Sequence, residues 1–211
     1  MAESRPVAVR RQAKQQRSRQ KVQAILDTTL DMLGAMPTDR ITTNEIAKTA
    51  GVNIATVYQY FPTKEAIFFE IYRRWLAQTL ALLVAVDDRF DGTEGLDTYA
   101  DAVFDCLSSE ESINAPGLWK LRFALNSTPE LAELEAEHEA RAFRRIIAAQ
   151  EKFARKVTPD QARALARLQH HVSVSCLYAA AEAADPAERA VLFDWGRKTM
   201  RFVYDVENLK G

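Results

Sequence analysis

The 211-residue chain is predicted to be all-α, with about nine helices, and three observations carry that prediction. Gly and Pro are scarce, seven of each, while Ala, Leu, Glu and Arg abound, a balance that favours helices over sheets. Apolar residues recur at helical spacing, as in Val22, Ile25, Leu26, Leu30 and Leu33, and nowhere with strand alternation. Three prolines each follow a capping residue, in Thr128-Pro129, Thr158-Pro159 and Asp185-Pro186, the pairing that opens a helix.

Taken in order, residues 1–15 are polar and basic without apolar periodicity and read as a flexible arm. The Val22 to Leu33 stripe is one face of a helix that Gly34 and Pro37 end. Thr42 with Glu45 has capping-box spacing for a short helix holding Ile46, Ala47 and Ala50. Gly51 supplies a turn, and Asn53 caps a second short helix running to about Tyr60. Pro62 breaks the pattern, and Thr63 starts a long helix to about Val86. A loop with Gly92 precedes a helix near 96–107, and Pro116 precedes one holding Trp119, Leu121, Phe123 and Leu125. The three capped prolines then open long helices, and Asp185 also stands at capping-box distance from Glu188. The helix after Pro129 begins with Glu130, Glu133, Glu135, Glu137 and Glu139 and ends with Arg144, Arg145, Lys152, Arg155 and Lys156, an order that complements its dipole.

Charge is unevenly distributed. Residues 1–21 hold seven basic groups against Glu3, a net of +6, which leaves −7 on the other 190 residues for a chain total of −1. A basic arm on an acidic body fits a polyanionic partner at one end, or else a solvated terminus. Cys106 and Cys176 are far apart and outside any C-x-x-C pair, which reads as two buried thiols in a reducing compartment. No signal-peptide run opens the chain, and the apolar run near 76–86 is short and interrupted by Gln78 and Thr79. A cytoplasmic protein without a membrane partner is expected.

The segment TAGVNIATVYQYF, residues 49–61, contains no charged residue. At about 100° per residue, Val57, Phe61, Ile54 and Tyr60 share an inner arc of the second short helix, and Ala55, Thr56, Tyr58 and Gln59 an outer one. Elsewhere in this chain an outer face carries Glu, Lys or Arg. Ala, Thr and Gln are side chains that read base edges: Gln bonds adenine N6 and N7, Thr bonds or touches a thymine methyl, and Ala packs on that methyl. Two short helices joined through Gly51 also have the form of a helix-turn-helix. Geometry alone leaves two readings open, a reading surface and a corner buried by the other helices. The nearby basic arm favours the first.

The segment ITTNEIAKTAGVNIATVYQYFPTKEAIF closely resembles the DNA-binding signature of the TetR family of bacterial transcriptional regulators. The resemblance rests on Thr42-Thr43, Ile46-Ala47, Ala50-Gly51-Val52, Thr56, Tyr58, Tyr60-Phe61 and Lys64-Glu65, and covers about residues 16–80. After the arm at 1–15, it implies a three-helix DNA-binding domain at 16–65 with its motif at 42–61, and a helical effector-binding and dimerisation domain at 66–211. It further implies a homodimer on a palindromic double-stranded operator, most simply a repressor released by a small-molecule effector. By position, Thr43 and Asn44 would meet phosphates or a base, and Ile54, Ala55, Thr56, Tyr58 and Tyr60 would face the groove or its wall. Gln59 joins them from the wheel, and Lys64 would hold a phosphate. Many relatives have Ser and Gly where this chain has Asn53 and Ala55, changes that keep the cap and suit the helix. Ile54 stands where relatives are often polar, and its angle points it inward.

The resemblance places the dimer on the last two helices. Leu165, Leu168, Val172, Cys176 and Ala179 make one compatible stripe, and Leu192, Trp195, Thr199, Phe202 and Val206 another. Ala162, Ala166, Ser173 and Ala180 would allow close approach of helices. Pocket candidates are the aromatics Phe104, Trp119, Phe123, Phe143 and Tyr178. No cofactor is called for. No metal site is expected either, because His170 and His171 point about 100° apart on one helix. The absence of a Ser/His/Asp or Cys/His constellation argues against an enzyme. An activator with the same DNA-binding domain, or a helical small-molecule-binding protein, is the alternative.

Overall fold

The computed structural model describes residues 7–109, 118, 121, 124, 125, 128–153 and 157–205, with side chains described from Gln15 onward. Among these residues lie eight α-helices: α1 Val7–Ala35, α2 Thr43–Thr49, α3 Ile54–Tyr60, α4 Lys64–Asp87, α5 Leu96–Ser108, α6 Pro129–Lys152, α7 Pro159–Glu182 and α8 Pro186–Tyr204. A 3-10 turn at Thr38–Arg40 follows α1. Of the further helix expected around Leu121, Trp119 and Phe123 lie outside the described residues, and Leu118, Leu121 and Leu125 are buried.

The expected arm is corrected from residue 7 onward, because α1 starts at Val7. Its first turns, VAVRRQAKQQ, lack an apolar face but consist mostly of good helix formers, with no Gly or Pro before Gly34. Propensity, rather than periodicity, extends this helix.

The helix starts follow from their capping residues. Thr42 accepts from the Glu45 N–H, while the Glu45 side chain accepts from the Thr42 N–H. Thr63 Oγ1 accepts from the Ala66 N–H at 3.2 Å. Thr128 accepts from the Leu131 N–H, and Thr158 forms a reciprocal box with Gln161. Asp185 accepts instead from the Ala187 N–H, two residues on, so its spacing to Glu188 is not used as a box.

Two compact units divide the chain, Met1–Tyr72 with Pro116–Leu125 and Arg73–Ala115 with Asn126–Gly211. In the first, α1 packs on α2 and α2 on α3. Its core contains Ile25, Leu26, Leu33, Ile41, Ile46, Ala47, Val57, Phe61, Ile67 and Phe68.

In the second unit, α8 packs against α5 and α7, and α6 packs against α7. Ala162, Ala166, Ser173 and Ala180 are buried inside it, so these small residues already serve the protomer's own helix contacts. Arg145 is the polar centre of this unit. Its guanidinium donates to Asp87 Oδ1 at 2.8 Å and to the Tyr99 hydroxyl at 3.2 Å, and the Tyr99 hydroxyl donates to Asp87 at 2.7 Å. Burial pushes the Tyr99 phenol above its ordinary range. Lys152 Nζ donates to the carbonyls of Asp87 and Phe90 at 2.8 and 2.7 Å. The basic end of α6 therefore holds the last turn of α4 and the loop after it, beyond complementing its own dipole.

On the other side of α5, Asp101 accepts from Arg201 Nε at 2.7 Å, and Arg197 pairs with Asp105. The Arg201 hydrogen bond holds the Asp101 carboxyl below the usual range. Cys106 and Cys176 form no disulfide and are half-buried rather than buried. No helix of the described residues is long and apolar enough to cross a membrane.

Candidate nucleic-acid interface

The turn between α2 and α3 is built from backbone bonds and one glycine. Ala50 N–H donates to Ile46 O at 2.9 Å, Gly51 N–H to Lys48 O at 3.3 Å, and Val52 N–H to Ala47 O at 3.0 Å. This places Gly51 at φ 65°, the left-handed region where a Cβ is strained. Asn53 Oδ1 then accepts from the Ala55 N–H at 2.8 Å and starts α3. Ile46, Ala47, Val57 and Phe61 are buried, which fixes the side of α3 that faces outward.

Asn44, Ala55, Tyr58 and Gln59 are exposed, and Thr43, Ile54, Thr56 and Tyr60 are half-buried. Thr56 is thus less exposed than its outer-arc angle suggests, and Ile54 lies at the boundary of core and surface rather than fully inward. Thr43 Oγ1 and the Tyr58 hydroxyl lie 3.0 Å apart and link the start of α2 to α3 across 15 residues. Both residues are among those the sequence proposes for the site, and their pairing depends on the packing of two helices.

Lys64 has partners of its own. Its Nζ donates to the carbonyls of Thr38 and Ile41 at 3.1 and 3.2 Å, tying the first turn of α4 to the 3-10 turn and the residue after it. An ammonium has three hydrogens, so one donor direction is left for a phosphate. Exposed cations stand at Lys48 in the last turn of α2, at Arg40, and at Arg17, Arg19 and Lys21 on α1. The neutral face of α3 therefore belongs to a unit whose cations lie on its other elements.

Residues 25–71 match the family model of bacterial regulatory proteins, tetR family. This N-terminal region is therefore a TetR-family domain. The solved structures carry the likeness over most of the chain. A Mesorhizobium loti protein described as a TetR-family transcriptional regulator is 20% identical, with a TM-score of 0.69 over 90% of this chain and 98% of that one. A transcriptional regulator from Pseudomonas aeruginosa is 14% identical, TM-score 0.63, over 85% and 89% of the two chains. A TetR-family regulator from Streptomyces coelicolor is 20% identical, TM-score 0.61, over 87% and 96%. At these identities the likeness is one of fold. No curated protein matches the chain.

Outside its TetR-type DNA-binding region, the pocket candidates have separate surroundings. Phe104 is buried, stands edge-on to Phe193 at 6.2 Å and lies under the Arg197 guanidinium at 4.8 Å. Phe143 is half-buried beside His170, with ring centroids 5.5 Å apart. Tyr178 is half-buried, and its hydroxyl donates to Glu182. Trp119 and Phe123 lie outside the described residues. A shallow surface pocket of about 350 Å³ is lined by Arg89, Phe90, Glu94, Thr98, Asp101, Ala102 and Asp105, and contains none of these aromatics. One group of potential metal ligands is clustered among the described residues, Glu139 with His170 and His171.

Proposed function

We propose that this protein is a cytoplasmic, sequence-specific repressor of the TetR family that binds a palindromic operator as a homodimer and leaves it when a small molecule binds the second unit. The observation that carries the reading is the exposed, neutral face of α3 (Ala55, Tyr58 and Gln59), anchored to α2 by the Thr43–Tyr58 hydroxyl pair. Neutral polar and small apolar side chains discriminate base edges, while the flanking cations supply phosphate affinity without sequence preference.

Dimerisation through the last two helices is supported by apolar side chains left open on them. Leu168 on α7 and Val191, Trp195 and Phe202 on α8 are 42%, 46%, 62% and 52% exposed. Val191 and Trp195 are four residues apart and Phe202 seven further on, so they form one helical stripe. Two such faces brought together across a two-fold axis would make an isologous interface. Repression would be relieved by a population shift, with ligand favouring a dimer whose α3 helices no longer match half-sites about 34–36 Å apart.

Recovery of genomic DNA bound to the full chain, followed by selection from random duplexes, tests this reading. A palindromic consensus is expected, bound with an affinity that falls steeply as salt rises. Equal affinity for every duplex, or an affinity insensitive to salt, would overturn it.

A further inference from the structure

Glu139 on α6 and the adjacent His170 and His171 on α7 are brought together by the packing of those two helices. One ligand-type atom from each, a carboxylate oxygen and two imidazole nitrogens, lies within 4.8 Å of the other two. Sequence spacing gave only the two histidines, which diverge along their own helix. The third group comes from a residue 31 positions away and faces both.

Phe143, one turn beyond Glu139 on α6, organises the histidines. Its ring stands edge-on to His170 at 5.5 Å and to His171 at 6.4 Å, and the two imidazoles are 5.4 Å apart at 68°. Glu139 and His170 are half-buried and His171 is exposed, so the cluster opens to solvent on one side. Three protein ligands with one open side is the arrangement in which water completes a tetrahedral zinc shell.

We propose that Glu139, His170 and His171 bind one divalent transition-metal ion of the zinc class. Tetrahedral bonds of about 2.0–2.2 Å put ligand atoms about 3.3 Å apart. Closing from 4.8 Å therefore needs shifts of about 1 Å, within the rotamer freedom of side chains that are not locked in the core. Two imidazoles and one carboxylate are borderline donors that suit zinc, cobalt and nickel better than calcium or magnesium. The carboxylate reduces the ion's charge to +1. Of the nearby cations, Arg141 is already paired with Glu137, and Arg167 lies 5.9 Å over the Phe143 ring. His138 stands to one side, its ring centroid 6.3 Å from that of His170, and is not among the three. A bound ion would cross-link α6 to α7 in the second unit. This proposal does not depend on the DNA-binding reading.

The test uses the full chain with no affinity tag, stripped with chelator and dialysed. Cobalt(II) is titrated in while the visible absorption is followed, and zinc(II) binding is measured by calorimetry. One ion per chain is expected, with zinc displacing cobalt. Glu139→Gln, His170→Ala and His171→Ala should each weaken binding at least about tenfold, the loss that even a residue supporting a ligand produces. His138→Ala should keep the wild-type affinity. Far-UV circular dichroism checks each variant for folding, and those that fold decide the question. Absent or substoichiometric binding overturns the proposal. So does an affinity unmoved in the three ligand variants, or one lost equally in His138→Ala.

Discussion

The hydroxyls of Thr43 and Tyr58 meet at 3.0 Å, and this one bond joins the first turn of α2 to the outward face of α3. Both side chains lie partly in solvent, so the bond is worth less than a buried one, about 0.5–1 kcal/mol. A double-mutant cycle of Thr43→Val and Tyr58→Phe in urea denaturation should return a coupling energy of that size. If the pair also sets the angle of the reading face, either single variant should lose about three- to tenfold in affinity for the preferred duplex, the equivalent of one neutral hydrogen bond. A zero coupling energy would show that the two hydroxyls act separately.

Gln59 and Lys64 should separate specificity from affinity. Gln59 is exposed on α3, and Gln59→Ala should change the selected consensus, because a bidentate base contact discriminates by about 1–3 kcal/mol. Lys64→Met should leave the consensus unchanged and weaken binding to all duplexes. It should also lower stability by about 1–2 kcal/mol, since its Nζ holds the Thr38 and Ile41 carbonyls. An identical consensus for Gln59→Ala, or an altered one for Lys64→Met, contradicts the division of roles.

Arg145 should be the most sensitive polar position of the second unit. Its side chain is 7% exposed and its partner Asp87 18% exposed, so removing the guanidinium strands a carboxylate away from water. Arg145→Met should therefore destabilise the protein by about 3–5 kcal/mol. The double variant Arg145→Met with Asp87→Asn should recover part of that loss, because no buried charge is then left unpaired. Thermal and denaturant unfolding of the three proteins measure both effects.

Local chemistry was legible in the sequence to the extent that it needed only neighbours along the chain. The Thr42–Glu45 box, the Asn53, Thr128 and Thr158 caps and the Gly51 turn are set by residues within five positions of one another. Of the inner arc that helical angle gives α3, Val57 and Phe61 are buried and Ile54 and Tyr60 half-buried. What escaped was set by packing between distant segments. Arg145 and Lys152 read as dipole-complementing cations, yet they bind a helix end some 60 residues earlier. Helical spacing puts the apolar stripe of α8 at Leu192, Trp195, Thr199, Phe202 and Val206. The large apolar side chains exposed there among the described residues are Val191, Trp195 and Phe202, and Leu192 is half-buried. Trp195, Thr199 and Phe202 of that stripe are exposed and Val206 lies outside the described residues, so only the first member differs, Val191 in place of Leu192, a shift that depends on how α8 sits on α5 and α7.

Gly51 and Gly92 both have positive φ, at 65° and 95°, but should respond differently to alanine. A Cβ at Gly51 meets nothing within 4 Å, so Gly51→Ala pays only the left-handed strain, about 1–2 kcal/mol. A Cβ at Gly92 would stand 2.2 Å from the Lys152 carbonyl oxygen, and backbone cannot swing aside as a side chain can. Gly92→Ala should be the costlier change, and should disturb the Lys152 bonds to Asp87 and Phe90 that hold this loop. Equal unfolding midpoints for the two variants would contradict the contrast.

Trp195 offers a direct test of the proposed dimer, because it is 62% exposed at the middle of the α8 stripe while Val203 on the same helix is 6% exposed. A large aromatic side chain left in water on a helix face is the kind of anchor that carries binding energy at an interface. Trp195→Glu puts two carboxylates close to the two-fold axis and removes the apolar contact from both sides at once. The variant should sediment as a monomer at concentrations where the wild type is a dimer, with helical content unchanged. Its affinity for a full palindrome should fall towards that for a half-site, because a linked second reading head adds about 100-fold or more in avidity. The half-site affinity itself should stay at the wild-type value, since α3 is untouched. A dimer that survives both Trp195→Glu and Phe202→Glu would place the interface on another face.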